Sequence, residues 1–485
     1  MNSLLIWPVA LPLIGSMVAL VWPRRSGLVA TVAMLATLAA SLAVVRGVAE
    51  HGVLQHALGG WQPGLGIALR ADVLSAALLL MSALVALAAS VYATHYFADP
   101  HRQARFWPLW LMLVTALHAL FLSGDLFNLY VTLELLGLAA VALAALGASR
   151  ASLQAALRYL TFGLLGSLAF LTGVALLYGA YGTLDMPQLA GQVDPQPAAR
   201  VALVLMTGGL LIKAALFPLH FWLPPAHANA PAPVSAALSA LVVKASFYLV
   251  LRLWLDVFDG VPTATDALLL GLLGAMAVIW GSWRALRAER LKLLAAYSTV
   301  AQVGYLFLFL PLLLAMPVGP PRDALFAAMV LFALTHGFAK SAFFLAAGVV
   351  QMHAGHDRIA ELGGVARMLP VTVFALALAG VALIGLPPSG TFLAKWQLMS
   401  AAIAWQQWPW LLVIAVGSLL AGGYVFRVLG HAFAPGEGVG PSLALSRAEI
   451  PALLLAITAT LLLGLGAAAF WDYLAGGVAA AGVMQ

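Results

Sequence analysis

Lysine is the residue type of this sequence that points most directly to chemistry, because of where it occurs. The chain has five lysines against eighteen arginines, and four of the lysines, Lys213, Lys244, Lys340 and Lys395, lie inside apolar runs. A lysine removed from water can release its proton, whereas an arginine stays protonated. Four lysines in separate apolar runs therefore predict sites that bind and release protons.

A single lysine in an apolar run also has a structural explanation. Its long stem can lie along apolar surface while the ammonium group reaches the edge of the membrane. Lys395 lies closest to an end of its run, so this alternative applies to it best. Four such residues in one chain favour a shared functional role.

One acidic residue complements the lysines. Glu134 lies deep in an apolar run, and an isolated carboxylate at that depth is costly. We therefore expect a lysine as its partner. Such a pair can work as a switch, because weakening it lets the amine release its proton. The alternative is a static structural ion pair.

A histidine and a lysine are spaced for a proton relay. His336 and Lys340 are four residues apart, so on a helix they share a face and can pass a proton along it. His118 stands alone in its run, where hydrogen-bonded packing is the commoner role for histidine. We therefore assign the relay to His336 and Lys340.

Helix breakers stand beside two of the lysines. Pro218 follows Lys213 by five residues, and Pro387 and Pro388 precede Lys395 by eight and seven. Broken helices at membrane depth are tolerated where they line a polar cavity, and their recurrence in two halves of a chain is typical of transport sites. We predict that both runs are broken helices.

The composition indicates which kind of protein holds these residues. Hydrophobic residues make up 64% of the chain and charged residues 8%, too few charges for a water-soluble protein. The chain has no cysteine, which excludes disulfides and thiolate-bound metals or clusters, and it has no P-loop or zinc-protease motif. We predict a membrane protein in the lipid bilayer, with no cofactor, no metal site and no nucleic-acid partner.

The apolar runs predict an all-α polytopic fold of about fourteen transmembrane helices, which form a single domain over residues 1–485. The runs are 3–22, 27–45, 71–95, 107–124, 125–148, 158–181, 200–223, 230–256, 264–286, 291–316, 323–351, 370–404, 408–432 and 449–471. We expect breaks in spans seven and twelve. Spans four to eight (107–256) and nine to thirteen (264–432) are predicted to form two inverted five-helix repeats.

The basic residues of the connectors predict the orientation. If the N-terminus is outside, fourteen lie on the inner face and five on the outer face, and the inner face of a membrane protein carries the excess. We therefore expect both termini outside the cytoplasm, in a bacterial or archaeal plasma membrane. This count assigns Lys292 to an inner connector and Arg252 to an outer one.

Several segments together resemble a known family, the antiporter-like membrane subunits shared by respiratory complex I, membrane-bound hydrogenases and Mrp-type sodium/proton antiporters. The resemblance extends from about Ala71 to Gly430. Its most specific segments are 124–134, 213–224, 230–244, 292–305, 336–345 and 385–395. Pro225 stands where the family often has an acidic residue, so no carboxylate is expected there.

The resemblance implies roles for the residues already singled out. It implies an ion pair between Glu134 and Lys213 and a proton path that ends at Lys395. It also implies that a central hydrophilic axis holds Lys244, His336 and Lys340.

The segment 124–131 is most similar to the D-type subunit of Mrp antiporters. This implies a proton-translocating subunit of a monovalent cation/proton antiporter, with other membrane subunits as partners and with protons and Na⁺ as candidate ions. The alternatives are a proton-pumping subunit of a complex I-like NADH:quinone oxidoreductase or membrane-bound hydrogenase, or a subunit of an inorganic-carbon uptake complex. The chain itself has no predicted catalytic residue, so whether it belongs to an enzyme stays open.

Overall fold

The computed structural model describes residues 2–61, 64, 66–436 and 447–481, and this part of the chain is helical almost throughout. Helices dominate because a segment in hydrocarbon must satisfy its backbone polar groups internally. The predicted all-α polytopic fold is confirmed.

The helices of the first half of the chain are numbered in chain order. They are α1 (Trp7–Val21), α2 (Ser26–His51), α3 (Val73–Tyr96), α4 (Pro100–Leu122), α5 (Leu126–Ala145), α6 (Arg150–Tyr181), α7 (Met186–Ala190), α8 (Pro197–Lys213), α9 (Leu223–Asn229), α10 (Ala232–Ala237) and α11 (Val243–Arg252). Short π-helical stretches, Leu238–Val242 and Leu253–Val257, precede and follow α11.

The helices of the second half of the chain continue this numbering. They are α12 (Ala264–Leu286), α13 (Leu291–Ala315), α14 (Pro320–Ala354), α15 (Val365–Met368), α16 (Pro370–Ile384), α17 (Gly390–Ala404), α18 (Trp408–Phe433), α19 (Glu449–Ile457), α20 (Leu463–Leu465) and α21 (Ala467–Ala481). A π-helical stretch, Thr458–Leu462, joins α19 to α20.

Fewer spans than the fourteen predicted are found when each span must be a single long helix. Among the described residues, eleven helices are long and apolar enough to cross a membrane, or twelve if the bent pair Glu449–Leu465 and Ala467–Leu474 counts as one span. The predicted runs 200–223 and 370–404 are each divided into shorter helices. The number fourteen and the two inverted repeats therefore stay predictions.

The run 200–223 is broken directly after its lysine. Helix α8 ends at Lys213, and the next helix begins at Leu223. Pro218 lies between them, and proline can neither donate a backbone hydrogen bond nor avoid the preceding turn of a helix. The lysine is therefore the last residue of a helix that stops inside the bundle.

The run 370–404 is broken before its lysine. Helix α16 is followed by Gly385, which adopts the left-handed φ of 86° that favours glycine. Pro387 and Pro388 come next, and the Ser389 side chain then caps the start of α17. The break consequently places its lysine in the second turn of the new helix.

Two helical segments form the centre of the bundle, α14 and the segment that runs through α10 and α11. The most apolar window of each is wholly buried, whereas the corresponding windows of α1, α2, α6 and α18 are one-third buried. Helix α14 contacts α3, α10, α13, α16, α17 and α19. Polar side chains on the central segments therefore face protein rather than lipid.

A small antiparallel hairpin lies before α3. Its strands are β1 (Leu54–Ala57) and β2 (Ala68–Ala71). Asp72 follows β2 and begins α3 through a capping box with Ser75. The capping box therefore fixes where the third helix starts.

Candidate functional site

Glu134 on α5 and Lys213 at the end of α8 face each other. The Lys213 Nζ lies 3.7 Å from Glu134 Oε2, which is longer than a direct hydrogen bond, and the two side chains are 8% and 20% exposed. Ser167 on α6 donates a hydrogen bond to the same carboxylate. The geometry is that of an ion pair that a small movement can tighten or open.

The N-cap of α5 fixes the position of Glu134 along the axis of this helix. The Asp125 carboxylate accepts a hydrogen bond from the backbone N–H of Asn128 at 2.8 Å and so caps the helix. These two residues belong to the segment that carries the family resemblance. Their observed role is to position the helix rather than to contact the lysine.

Glycines bring α6 and α8 together beside the pair. A Cβ atom at Gly209 would lie 2.3 Å from the backbone oxygen of Gly166, so neither position leaves room for a side chain at this crossing. A Cβ atom at Gly166 would also lie 3.3 Å from Cγ of Lys213. The close approach lets Ser167 and Lys213 both face the same carboxylate oxygen of Glu134.

Lys244 is buried at the start of α11. Its Nζ donates a hydrogen bond of 3.3 Å to the backbone oxygen of Ser239, in the π-helical stretch. The Ser239 hydroxyl lies 2.7 Å from the Thr299 hydroxyl on α13. Wider π-helical turns occur often at functional sites, and here the stretch supplies a backbone oxygen to the lysine and a hydroxyl to α13.

His336 and Lys340 share one face of α14, and both are buried. The Lys340 Nζ donates to the backbone oxygen of Ala295 at 2.7 Å and to the Ser298 hydroxyl. The two ring nitrogens of His336 have no hydrogen-bond partner among the described residues. Ser298 is the neighbour in sequence of Thr299, whose hydroxyl contacts Ser239 beside Lys244, so the polar contacts of Lys340 and Lys244 meet at adjacent residues of α13.

Lys395 is held at the second break. Its Nζ donates to the backbone oxygen of Ile384 at 3.0 Å and to the Ser418 hydroxyl at 2.9 Å, and it lies 4.1 Å from the centre of the Tyr305 ring. The lysine therefore does not reach out to the membrane surface. Neutral oxygens and an aromatic face surround it.

Gln302 lies between the lysine of α14 and that of α17. It is one helical turn beyond Ser298 on α13, and its side chain donates to the backbone oxygen of Leu383 at 2.7 Å. The next residue, Ile384, supplies the oxygen that Lys395 contacts. Polar groups thus connect the surroundings of Lys340 to those of Lys395.

Lys244, Lys340 and Lys395 share one property. Within the part of the chain that the structure describes, none of them has a carboxylate oxygen within 4 Å. A permanently charged ammonium group in such a place carries a high desolvation cost. The arrangement suits groups that hold a proton only part of the time, although their role in proton transfer stays a prediction.

Lys292 is a buried lysine that the sequence prediction misplaced. The connector assignment was wrong, because Lys292 lies in the first turn of α13 and is only 2% exposed. Its Nζ donates to the backbone oxygen of Ala230, at the junction of α9 and α10. The available signal was its place within the apolar run 291–316.

Arg252 was also misplaced by the sequence prediction. It is buried at the end of α11, where its guanidinium donates to Asp72 at 2.6 Å and to Asp256 at 3.0 Å. The i, i+4 spacing of Arg252 and Asp256 was a local signal for this contact. The cluster ties the start of α3 to the end of α11.

Glu134 is not the most buried carboxylate. Asp72, Asp185, Asp357 and Glu449 are more deeply buried, but each lies at a helix N-terminus, where the helix dipole favours negative charge. Glu449 also accepts a hydrogen bond of 2.6 Å from the Thr372 hydroxyl. The position of Glu134 within the body of a helix remains what distinguishes it from these four.

Two other histidines have different surroundings. The ring of His118 hydrogen-bonds to the Ser82 hydroxyl at 2.8 Å and to the backbone oxygen of Pro8 at 3.0 Å, as expected of a packed histidine. His227 on α9 is fully buried and stacks on Phe344, and its ring nitrogens have no hydrogen-bond partner in the described structure. Among the described residues, no group of three or more potential ligands could hold a metal ion.

Comparisons with known proteins place this geometry in context. The family model described as NADH:quinone oxidoreductase/Mrp antiporter, TM, matches residues 123–421, more than half of the chain. That region contains Glu134 and all of the buried lysines described above.

Individual relatives cover nearly the whole chain. NADH-quinone oxidoreductase subunit N of Desulforudis audaxviator is 36% identical over 94% of this chain and 93% of its own length. The D-type subunit of the Na(+)/H(+) antiporter of Alkalihalophilus pseudofirmus is 28% identical over 83% of this chain and 81% of its own length. A chain of the Mrp complex from Dietzia sp. DQ12-45-1b superposes with a TM-score of 0.90 at 27% identity, over 100% of this chain and 97% of that one.

These matches confirm the resemblance seen in the sequence segments. Because the family model spans the two broken runs and the central helices, and because a relative above 30% identity matches over more than nine-tenths of both chains, the assignment does not depend on a single motif. The chain belongs to the NADH:quinone oxidoreductase/Mrp antiporter family of transmembrane subunits.

Proposed function

We propose that this chain translocates protons across the membrane as one subunit of a multi-subunit complex. The observation that carries the proposal is a series of buried lysines, of which Lys213 alone among the four predicted ones has a carboxylate within 4 Å in the described structure. The proposed path consists of Glu134, Lys213, Lys244, His336, Lys340 and Lys395.

The ion pair is the proposed control point of the path. When Lys213 lies against Glu134, its charge is compensated and acts weakly on the other lysines. When the pair opens, the uncompensated charge of Lys213 makes the protonated form of Lys244 or Lys340 less favourable, because like charges in a low dielectric repel strongly. The displaced proton then moves to Lys395 and leaves on the far side.

The predicted orientation assigns the two ends of the path. We propose that it opens to the cytoplasm on the arginine-rich face, which carries Arg102, Arg150 and Arg290, and to the outside on the face that carries both termini. The direction of net proton flow depends on the host complex. Reporter fusions at the two ends of the chain should find both outside the cytoplasm. A cytoplasmic C-terminus would contradict this orientation.

Two host assemblies are proposed. An Mrp-type monovalent cation/proton antiporter, with this chain as its D-type subunit, is supported by the structural similarity to an Mrp complex and by the segment 124–131. A complex I-like NADH:quinone oxidoreductase, with this chain as its N-type subunit, is supported by the higher identity to a subunit of that name. Purifying the tagged chain with its neighbours distinguishes them, because only the second brings flavin or iron–sulfur proteins.

The experiment that tests proton translocation uses the complete complex in everted membrane vesicles. Replacing Glu134 or Lys213 by Ala should abolish proton transport, measured with a fluorescent pH probe, while the subunits still co-purify. Normal transport by either variant at equal subunit content would overturn the proposal.

A matched control replaces a buried, hydrogen-bonded residue outside the path. His118→Gln alters a comparable polar contact in α4 and should leave transport near the level of the unaltered complex. If this variant loses transport equally, the losses at Glu134 and Lys213 report general disruption of the bundle.

A further inference from the structure

A polar cavity opens between connectors on the arginine-rich face. It has a volume of about 260 Å³ and lies where the ends of α3, α5, α9, α13 and α14 meet. Its lining includes Arg102, Ser149, Asn229, Arg290, Lys292 and Gln351. Water can enter such a site because its walls offer several hydrogen-bonding groups.

Lys292 forms the inner wall of this cavity. Its Nζ donates to the backbone oxygen of Ala230, which also lines the cavity. Asp357 lies near, but its carboxylate accepts from the Arg290 guanidinium at 2.8 Å and from the backbone N–H of Lys292 at 3.3 Å. In the described structure no carboxylate oxygen lies within 4 Å of the Lys292 ammonium group.

His227 is next to the cavity lining, because the residues that follow it, 228–231, line the cavity. Its ring stacks on Phe344 with 5.1 Å between ring centres, and neither ring nitrogen has a hydrogen-bond partner among the described residues. Phe344 lies one helical turn beyond Lys340 on α14, and the Lys292 ammonium group donates to the backbone oxygen of Ala230, three residues after His227. A buried imidazole beside the segments that hold both lysines, with neither nitrogen bonded to a described residue, has the form of a proton relay.

Lys292 and the backbone oxygen that Lys340 contacts lie close together along α13. Lys292 belongs to α13, and Lys340 donates to the backbone oxygen of Ala295, three residues further along that helix. Three residues on a helix correspond to an axial rise of about 4.5 Å. Along the axis of α13, Lys292 in the cavity wall and the Lys340 contact at Ala295 are therefore separated by roughly one helical turn.

We propose that Lys292 is the residue through which the central path takes up protons, and that His227 passes them to Lys340. The neutral Lys292 amine accepts a proton from hydronium in the cavity, which leaves water, and donates it to the unprotonated nitrogen of the neutral His227 ring. The imidazolium ring then turns and releases the same proton to the neutral Lys340 amine, so the neutral imidazole is restored in its first tautomer. No oxidant or further reactant is needed.

This inference rests on the proposed function, since an uptake residue requires a path to supply. The structural alternative is that the Lys292 ammonium group only anchors α13 to Ala230. An anchor needs positive charge or hydrogen-bond donors, whereas an uptake residue must also lose its proton. Arginine separates the two, because it keeps the charge and the donors but stays protonated.

The test uses the absence of cysteine from the natural chain. In the complete complex, in everted vesicles, Lys292→Cys should lower proton transport by roughly a factor of 10², as loss of a positioned proton-transfer group does. Reaction with 2-aminoethyl methanethiosulfonate, which restores an ionisable amine, should recover a large part of it. The trimethylammonium analogue restores only fixed charge and should not.

Control variants complete the experiment. Met352→Cys, at the same end of α14 and exposed, should react with both reagents without a change in transport. The complex with the natural chain, treated identically, measures the reaction of cysteines in other subunits. If Lys292→Cys fails to assemble, Lys292→Arg serves instead and should assemble but not transport.

Three results would overturn the inference: normal transport by Lys292→Cys, equal recovery with both reagents, or normal transport by Lys292→Arg. Lys340→Met, measured in parallel, distinguishes this failure from failure of the proposed function. If Lys340→Met is inactive while Lys292→Cys is normal, the path stands and uptake occurs elsewhere. If both are normal, the proposed path itself is wrong.

Discussion

The two broken helices present their lysines in opposite ways. Lys213 is the last residue before its break and faces the Glu134 carboxylate. Lys395 follows its break and contacts the backbone oxygen of Ile384 and the Ser418 hydroxyl. The same helix-breaking chemistry therefore produces one lysine with a counter-ion and one that has none among the described residues.

The difference indicates a division of labour. A carboxylate beside Lys213 stabilises the charged amine, so this residue can act through its charge. Neutral oxygens solvate Lys395 without compensating its charge, so the cost of the charged state remains and the residue is suited to proton release. The variants below break or sharpen this comparison.

The largest expected difference is between arginine variants of the two lysines. Lys395→Arg should lower proton transport by roughly a factor of 10² or more, because the guanidinium group cannot release its proton. Lys213→Arg should retain clearly more activity, since it still pairs with Glu134. Both are measured as the initial rate of pH change in everted vesicles, and equal losses would show that the two lysines do the same work.

A carboxylate can be introduced where the second lysine lacks one. Ser418→Asp would place it next to Lys395, stabilise the charged amine, and slow transport by roughly tenfold, which corresponds to about 1.4 kcal/mol. Ser418→Asn is the matched neutral change of nearly equal size. The comparison is contradicted if the two variants transport at the same rate.

The backbone beside Lys395 gives a smaller effect. At Gly385 an added Cβ atom would lie 2.9 Å from Cδ of Lys395, at a φ of 86°. Gly385→Ala should therefore displace the lysine and lower both transport and the melting temperature of the purified complex. The left-handed backbone alone costs about 1–2 kcal/mol.

Gly182 provides the matched control for that variant. It has a φ of 70°, and an added Cβ atom would meet nothing within 4 Å. Gly182→Ala should carry the same backbone strain while leaving transport unchanged. A transport defect in Gly182→Ala as large as that of Gly385→Ala would mean that strain, rather than crowding of Lys395, causes the loss.

The smallest effects are expected from the hydroxyl groups beside the two lysine sites. Ser167→Ala removes a donor to Glu134, and Ser418→Ala removes an acceptor from Lys395. Each lost hydrogen bond is worth about 1 kcal/mol, so transport should change by roughly fivefold or less. Ser418→Ala should have the larger effect because Lys395 has fewer charged partners, and the reverse order would count against the comparison.

The parts of the fold that local chemistry determines could be predicted from the sequence. Breaks beside Lys213 and Lys395 follow from proline and glycine within a few residues of each. The burial of Lys244 and Lys340 follows from the apolar runs around them. The span count was less secure, because hydropathy detects apolar runs, whereas a run such as 370–404 is divided between two helices.

The parts that depend on distant contacts could not be predicted. Lys292 is buried because it reaches the backbone of Ala230, 62 positions earlier in the chain. Arg252 is held by Asp72, 180 positions away. Counting charges near the ends of apolar runs assigned both basic residues to connectors. The local signals, the run 291–316 for Lys292 and the spacing of Asp256 for Arg252, do not identify the distant segment that covers each residue.

The length of α14 has a mechanical consequence. Its 35 residues extend about 52 Å at 1.5 Å per residue, well beyond a hydrocarbon core of about 30 Å. His336 and Lys340 lie near its midpoint, so a rigid tilt about that point swings the two ends by the largest amount and leaves these residues almost in place. A neighbouring subunit that pushes on an exposed end can therefore reshape the loops at either surface while the spacing of the two central groups is preserved.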